Sequence, residues 1–446
     1  MGYVFKKNDP KAIKAWTFYD WANSVYNLII STAIFPIFYE AVTSGNKKMI
    51  NGKSVDIVEF FGREFVNTEL YSYVYSASFF LIVLLVPILS GIADYSGTKK
   101  GFMQFFCYLG ALGCMSLFFF DVNHLEISML SVFIASIGFW GSLVFYNSFL
   151  LEIADTDQHD KISARGFSMG YIGSVSLLIT ILALSQFMKV MPIKYGFLLV
   201  GIWWAGFAQY TYYYLPSKNH YEPREKQHNI IWYGFKELKK VWLELREHTR
   251  VKWFLGSYFV YNMGVQTVML LAVLFASKEI DWVPGGEWWQ TKETGLILSI
   301  ILIQLIAIIG AYVMSNISKK IGNLKTLMLA TLIWVTCTII AYYIHLPTEF
   351  YVLAALVGFV MGGIQSLSRS TYSKMLPPTN DFASYFSFFD VMEKTGLIIG
   401  PLLFGFLEGY FGSMRVSVLM LMSLFIAGFF LLLKTYFTEK KEVTVA

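Results

Sequence analysis

The chain has 446 residues, of which 56% are hydrophobic and only 15% are charged, and its formal net charge is +5. Soluble domains carry about 25% charged residues. Here apolar runs of about 18 residues or more recur from end to end, so the composition excludes a soluble enzyme, a disordered chain and a secreted disulfide-stabilised domain. Runs such as 79–89 and 296–310 are continuous rather than alternating, which excludes a transmembrane β-barrel. The sequence therefore predicts an all-α polytopic membrane protein.

Twelve stretches are long and apolar enough to cross a hydrocarbon layer of about 30 Å, which takes about 20 helical residues. Those in the first half lie near 14–42, 69–93, 99–120, 125–153, 163–189 and 195–215. Those in the second half lie near 251–277, 291–315, 324–345, 348–374, 382–408 and 413–436. We therefore predict 12 transmembrane helices in two six-helix bundles, 1–215 and 251–446, joined by a linker at 216–250.

Basic residues are distributed unevenly between alternate loops. With the N-terminus placed inside, the inner segments hold 24 Lys and Arg residues and the outer segments hold nine. Because basic loops stay on the cytoplasmic side, we expect both termini in the cytoplasm and the protein in a plasma membrane of the bacterial inner-membrane type. The basic residues of the cytoplasmic loops explain the net positive charge, so we expect no nucleic-acid partner.

The linker divides two halves that resemble each other weakly. The segments 92–100 and 317–325 share Ile, Gly and Lys at a constant shift of 225 residues, as two parallel repeats would. Within the linker, apolar residues recur at helical spacing and charged residues fill the other face. The apolar residues are Ile231, Phe235, Leu238, Trp242 and Leu245. We expect an amphipathic helix on the inner leaflet, with the docking of a partner as the alternative.

Three predicted helices carry stripes of polar residues on one face. These are Asp20, Asn23, Asn27 and Ser31 in the first, Tyr258, Asn262 and Gln266 in the seventh, and Gln365, Arg369 and Ser373 in the tenth. Because buried polar groups are costly in lipid, such faces indicate a water-filled pathway, or else hydrogen bonds between helices. The predicted substrate pathway comprises Asn23, Asn27, Asn262, Gln266, Gln304, Gln365 and Lys394.

Charged residues are predicted to form a separate layer nearer the cytoplasm. At a rise of about 1.5 Å per residue, Asp20 and Arg369 lie at similar depth in different halves. They either pair across the pathway as a gate, or receive the ammonium and carboxylate of an amino acid. Asp390 lies four residues before Lys394, at the spacing of an intrahelical ion pair.

No metal or cofactor site is predicted. Asp155, Asp157, His159 and Asp160 lie close together, but their spacing fits no calcium loop, so we expect a solvated loop. Cys107, Cys114 and Cys337 lie in apolar runs, which excludes a metal spacing or a disulfide framework.

Several motifs resemble those of known membrane transporters. The segment 90–100 resembles the loop between spans 2 and 3 of the major facilitator superfamily, with Ser90 and Tyr95 as departures. The segment 15–26 is similar to the signature of its vacuole effluxer-like family. Further matches to that family are 146–150, 163–173, 362–370 and 400–405. Glu393 replaces a glycine of the family pattern, directly before a matching Lys394.

The resemblance implies a major-facilitator fold and a secondary transporter that alternates access, with amino-acid export as a family precedent. It also implies that Asp94, at the cytoplasmic end of the second span, faces the N-terminus of the eleventh span and latches the outward-facing state. Glu152 and Arg165 complete the predicted layer of Asp20, Asp94, Arg369 and Asp390.

Three classes of function remain open on the sequence. A transporter of a small organic solute, driven by a proton or solute gradient, is favoured, because no nucleotide-binding loop occurs. The alternatives are a lipid-modifying enzyme using Glu152 with the acidic loop, and a transport-inactive receptor or scaffold. We expect no enzymatic activity, a monomer, and membrane lipid as the surroundings.

Overall fold

The architecture comes from a computed structural model of the chain. It describes residues 6–50, 53–187, 191–217, 230–287, 289–377, 381–411 and 414–445. Helices lie at all the predicted spans. In the first half they are α1 Pro10–Val25, a π-helix Tyr26–Ala33, α2 Ile34–Thr43, α3 Asn67–Ser96, α4 Lys99–Ser116, α5 Leu125–Ile153, α6 His159–Leu182, a second π-helix Ala183–Phe187, and α7 Tyr195–Tyr214.

The linker and the second half continue the helical pattern. Their helices are α8 Ile230–Glu247, α9 Thr249–Glu279, α10 Lys292–Ile321, α11 Asn323–Tyr343, α12 Pro347–Met375, α13 Phe382–Phe411 and α14 Met414–Val445. Short 3₁₀ turns occur at Leu117–Phe119, Val122–His124 and Thr156–Gln158.

Ten of the helices within the described ranges are long and apolar enough to cross a membrane. The helices α7 and α13 are not among the ten. The first is rich in tyrosine and tryptophan, and the second carries Asp390, Glu393 and Lys394. The chain is an integral membrane protein of helical type, and the count of 12 spans stays a prediction.

The all-α membrane fold also contains one short β-sheet. Between α2 and α3 lies a three-stranded antiparallel sheet of β1 Lys47–Ile50, β2 Lys53–Phe60 and β3 Arg63–Val66. Its β2 strand is rich in β-branched residues and pairs with both neighbours, for example Val58 with Phe65. The turn at Asn51 and Gly52 falls outside the described residues.

The two ends of the molecule differ. Near one end, the backbone of Asn8 donates a hydrogen bond to the carbonyl of Ile153, and Arg250 pairs with Glu439 near the C-terminus. The linker helix α8 leads into the start of α9 at this end, so we call it the linker end. The opposite end carries the β-sheet, and we call it the sheet end.

Two buried apolar clusters form the core. One draws its residues almost entirely from 16–215, and the other almost entirely from 241–432. The cores therefore lie largely within the halves, with a few residues of each half packed into the core of the other.

Glycines bring two pairs of helices into backbone contact. A Cβ atom at Gly170 would overlap Ser24, and one at Gly173 would overlap the carbonyl of Trp21, so α6 lies directly against α1. In the second half, a Cβ at Gly310 would overlap the carbonyl of Phe359, which brings α10 equally close to α12. Any larger side chain at these positions would force the helices apart.

Candidate functional site

A cavity lies between the two halves. It encloses about 1430 Å³, counting its open mouth, and is lined by α1, the first π-helix, α5 and α6 from one half and α9, α10, α12 and α13 from the other. Its polar lining includes Asp20, Asn23, Asn27, Asn147, Tyr171, Asn262, Gln266, Gln304, Gln365, Arg369 and Glu393. Six of the seven residues predicted for the substrate pathway therefore face one space.

The seventh, Lys394, does not line the cavity, and this differs from the prediction. It is fully buried, and its ammonium bonds to Asp390 Oδ1 at 2.5 Å and Glu393 Oε2 at 2.8 Å. Both carboxylates lie on its own helix, so the side chain is held against α13. Asp390 lies four residues before Lys394, which is the spacing of the predicted intrahelical pair. The group that faces the cavity is Glu393.

The amides of the cavity differ in how they are bonded. Tyr171 donates its hydroxyl hydrogen to Gln365 Oε1 at 2.9 Å, and Gln266 Nε2 donates to Glu393 Oε1 at 2.9 Å. The Nδ2 groups of Asn23 and Asn262 are buried and have no partner within the described part of the chain. Since buried donors normally find acceptors, these two are available to a solute.

The first π-helix changes which residues face the cavity. A π-helix bonds residue i to i+5, whereas an α-helix bonds i to i+4. The hydroxyl of Thr32 accordingly donates to the carbonyl of Asn27 at 2.9 Å, and Thr32 lines the cavity. The α-helical spacing predicted Ser31 on this face, and the wider turn displaces it.

Asp20 and Arg369 meet at the boundary of the cavity. Arg369 Nη2 lies 3.5 Å from Asp20 Oδ2, and both side chains are buried. Tyr146 donates its hydroxyl hydrogen to Asp20 at 2.7 Å, while Arg369 Nε donates to Ser163 Oγ at 2.9 Å. The guanidinium also lies 4.3 Å from the ring of Phe167. Each charge is thus held by its opposite charge and by neutral partners.

Asp94 connects the halves at the linker end. Its Oδ1 accepts the backbone N–H of Ala383 at 3.2 Å and its Oδ2 accepts that of Ser384 at 2.7 Å. These are the first amides of α13, where the helix dipole favours a carboxylate. Lys99 is buried beside it, 3.8 Å from Asp94 Oδ1 and paired with Glu152. We call these five residues the Asp94 cluster.

Asp160 makes a second connection that sequence reasoning missed. Its carboxylate accepts from Lys374 Nζ at 2.6 Å, Asn323 Nδ2 at 2.8 Å and Ser318 Oγ at 3.1 Å, all from the other half. We call these four residues the Asp160 cluster. The shift of 225 residues was the available signal, because it places 318–323 where 93–98 lie in the first half.

The acidic loop is therefore only partly solvated, contrary to expectation. His159 is buried, with Nδ1 2.8 Å from Ser373 Oγ, and Asp160 is buried in its cluster. Asp155 is exposed, and hydrogen bonds from Asn8 and Lys7 hold the pKa of its carboxyl below the usual range. Within the described ranges, no group of three or more His, Cys, Asp or Glu side chains is placed to hold a metal ion.

Two further residues of the predicted charge layer lie elsewhere. Arg165 is exposed on α6, away from the buried pair of Asp20 and Arg369. Asp390 is buried against Lys394 and does not line the cavity. The residues of the predicted layer therefore lie in four places. These are the ion pair of Asp20 and Arg369, which we call the Asp20 pair, the Asp94 cluster, the ion pair of Asp390 and Lys394, and the surface.

The linker helix packs against the protein itself. Val241 and Leu245 are buried, whereas Trp242 is half exposed and stacks on Phe388 of α13. Lys240 Nζ pairs with Asp381 at 2.9 Å, close to the Asp94 cluster. The sequence predicts an amphipathic helix on the inner leaflet, and Leu245 of its apolar face packs against the protein. The side chains of Ile231, Phe235 and Leu238 fall outside the described residues.

Comparison with known proteins gives a consistent result. The family model described as "Vacuole effluxer Atg22 like" matches residues 8–444. The MFS-type transporter YxiO of Bacillus subtilis (strain 168) is 29% identical, covering 96% of this chain and 95% of the relative. Autophagy-related protein 22 of Pichia angusta is 26% identical, covering 78% of this chain and 71% of the relative.

Solved structures give the same architecture. The Major Facilitator Superfamily transporter FucP, in the outward conformation, superimposes with a TM-score of 0.69 at 15% identity, covering 96% of this chain and 98% of FucP. A bacterial homologue of the iron transporter ferroportin, in an outward-facing state, gives a TM-score of 0.64 at 11% identity, covering 96% and 98%. At these identities the likeness concerns the fold alone.

Proposed function

The chain belongs to the vacuole effluxer Atg22-like family, and from this premise we propose that it is a secondary carrier that moves a small zwitterionic solute, such as an amino acid, by alternating access. The membership confirms the resemblance of 15–26 and of 90–100, and the major-facilitator fold is likewise confirmed. Its relatives and structural neighbours are transporters and not enzymes. The chain is a membrane transporter, and the lipid-modifying alternative loses its support.

The observation that carries the proposal is a cavity that is closed on one side and lined by both polar and apolar side chains. The Asp94 and Asp160 clusters join the halves at the linker end, and the Asp20 pair bounds the cavity. Carriers of this kind expose a site between two repeats to each side in turn. The proposed units of motion are 1–215 and 251–446.

The proposed orientation places the linker end in the cytoplasm. The support is the excess of basic residues in the loops of that end. The state described here is then outward-facing and closed to the cytoplasm. We further propose that the protein acts as a monomer in a bacterial-type inner membrane. Export would begin from the opposite state, after the two clusters have separated.

The cavity chemistry suits a zwitterion. Asn23 and Asn262 offer unpartnered N–H donors, and Glu393 offers carboxylate oxygens. Amide side chains supply donors and acceptors without net charge. Such a lining favours a solute that carries both signs of charge over a fully apolar one.

Flux through the purified protein tests the proposal. In proteoliposomes, we expect movement of labelled neutral amino acids that responds to a pH difference across the membrane. Turnover of a labelled lipid without solute flux would contradict it. Binding without any flux would favour the receptor alternative.

Alanine substitutions in the cavity should weaken the apparent affinity for the solute. Each of Asn27, Asn262, Gln304 and Gln365 changed to alanine should raise the half-saturation constant about 2- to 13-fold, since a hydrogen bond is worth about 0.5–1.5 kcal/mol. The control is Gln209→Ala, which removes an exposed amide outside the cavity. Four variants with wild-type constants would show that the cavity is not the binding site.

A further inference from the structure

We infer that Glu393 forms a subsite for the ammonium group of the transported solute, so that the carrier selects solutes bearing a primary amine. This inference rests on the proposed function and names the charge that the solute must carry.

The charges around the cavity do not balance. Among the described residues that line it, the charged ones are Asp20, Arg369 and Glu393. Asp20 and Arg369 neutralise each other. Glu393 and Asp390 share a single ammonium, that of Lys394, so one negative charge remains. A charge in the interior of a membrane protein is costly without a counter-ion. A solute in the cavity can supply that counter-ion.

The carboxylate of Glu393 is positioned to receive a cation. Its side chain is 20% exposed, Gln266 holds one oxygen and Lys394 holds the other. A carboxylate oxygen has two lone pairs, so each can accept a further hydrogen bond. The two donors fix the orientation of the group before the solute arrives, which lowers the entropy cost of binding.

Aromatic rings line the cavity together with Glu393. Tyr258 and Phe389 stack with centroids 4.0 Å apart, and Trp140 lies beside Lys394, whose Nζ is 4.0 Å from its ring. All three line the cavity. Aromatic faces attract ammonium groups, and more strongly where water is excluded.

The carboxylate end of the solute has its own candidate partners in the cavity. Asn262 lies one turn before Gln266 on α9, and Asn23 lies on α1 of the other half. Their unpartnered Nδ2 groups can donate to a carboxylate. A zwitterion would then contact both halves at once, with its ammonium held by Glu393 in the second half.

Three probes that share the isobutyl framework separate the two ends of the solute. Valine has both charged groups, isobutylamine only the amine, and isovalerate only the carboxylate. Binding to purified protein is measured for each by calorimetry. We expect Glu393→Gln to raise the dissociation constants for valine and isobutylamine about tenfold or more, since hydrogen bonds to charged groups are the stronger ones. The constant for isovalerate should not rise.

The matched control is Glu40→Gln, the same chemical change at an exposed position outside the cavity. Unchanged isovalerate binding shows that Glu393→Gln is folded. If that variant does not fold, Asp390→Asn provides the test, because it lets Lys394 neutralise Glu393 fully. It should weaken isobutylamine binding several-fold, and unchanged binding there would overturn the inference.

Other outcomes also overturn it. Equal effects of Glu393→Gln on all three probes, or no amine binding by the wild type, would exclude an ammonium subsite. Loss of the pH response of flux with amine affinity unchanged would make Glu393 a proton acceptor instead. In each case, solute flux by the wild type would leave the proposed transport function standing.

Discussion

Replacing Arg369 with methionine is expected to destabilise the protein by about 3–5 kcal/mol, because it leaves the buried carboxylate of Asp20 without its counter-ion. Transport should be lost as well, since the residue bounds the cavity and bonds to Ser163 of the other half. Thermal unfolding in detergent measures the first effect, and flux in proteoliposomes measures the second.

The neutral double variant, Asp20→Asn with Arg369→Gln, is the matched control. It leaves no unpaired charge, so it should unfold at a higher temperature than Arg369→Met. A charge swap should recover stability only in part, because Tyr146 donates to Asp20 while Arg369 donates to the carbonyl of Ser163. If Arg369→Met is as stable as the wild type, the buried pair has no structural role.

Changing Asp94 to asparagine should slow transport about 2- to 30-fold while leaving solute affinity within a few-fold. The asparagine has one acceptor oxygen for the two amides of Ala383 and Ser384, and loss of such a cap costs about 0.5–2 kcal/mol. The closed state of the linker end is destabilised accordingly. Flux and equilibrium binding, measured on the same preparation, separate the two effects.

Glu152→Gln provides the comparison. It also removes a carboxylate from beside Lys99, yet among the described residues no hydrogen bond or ion pair joins Glu152 to α13. Its effect on the transport rate should therefore be smaller than that of Asp94→Asn. Equal effects would mean that the charge balance at Lys99, rather than the contact between halves, controls the rate. A large loss of affinity in Asp94→Asn would contradict the assignment to gating.

The helices and the amide lining were predictable because their signals are local. Apolar length identifies a span, and spacing by three or four residues placed Asn23 and Asn27 on one face. The same spacing wrongly placed Ser31 on the cavity face, because no sequence signal in residues 26–33 predicts a π-helix. The turn sequence Asn51-Gly52 predicts a small hairpin, and β1 pairs with β2 there, whereas the third strand was not predicted.

Side-chain direction and contacts between distant segments were not predictable. Lys394 was placed in the pathway by depth, but its neighbours on α13 hold it away from the cavity. His159 and Asp160 resembled solvated loop residues, because their partners lie more than 150 residues further along the chain. Pairing of that kind depends on how the halves meet, which one sequence read alone does not specify.

The backbone contacts of α6 with α1 have a mechanical consequence. Gly170 and Gly173 leave no compressible side chain between these helices, so they should move as one stiff element. That element carries Asp160 at one end and Asn23 along its length. Spin-label distances between α1 and α6 should stay constant through the transport cycle, while those between α6 and α12 change. Displacement at the linker end would then reach the solute as a tilt of the cavity wall, with no intervening change of side-chain rotamers.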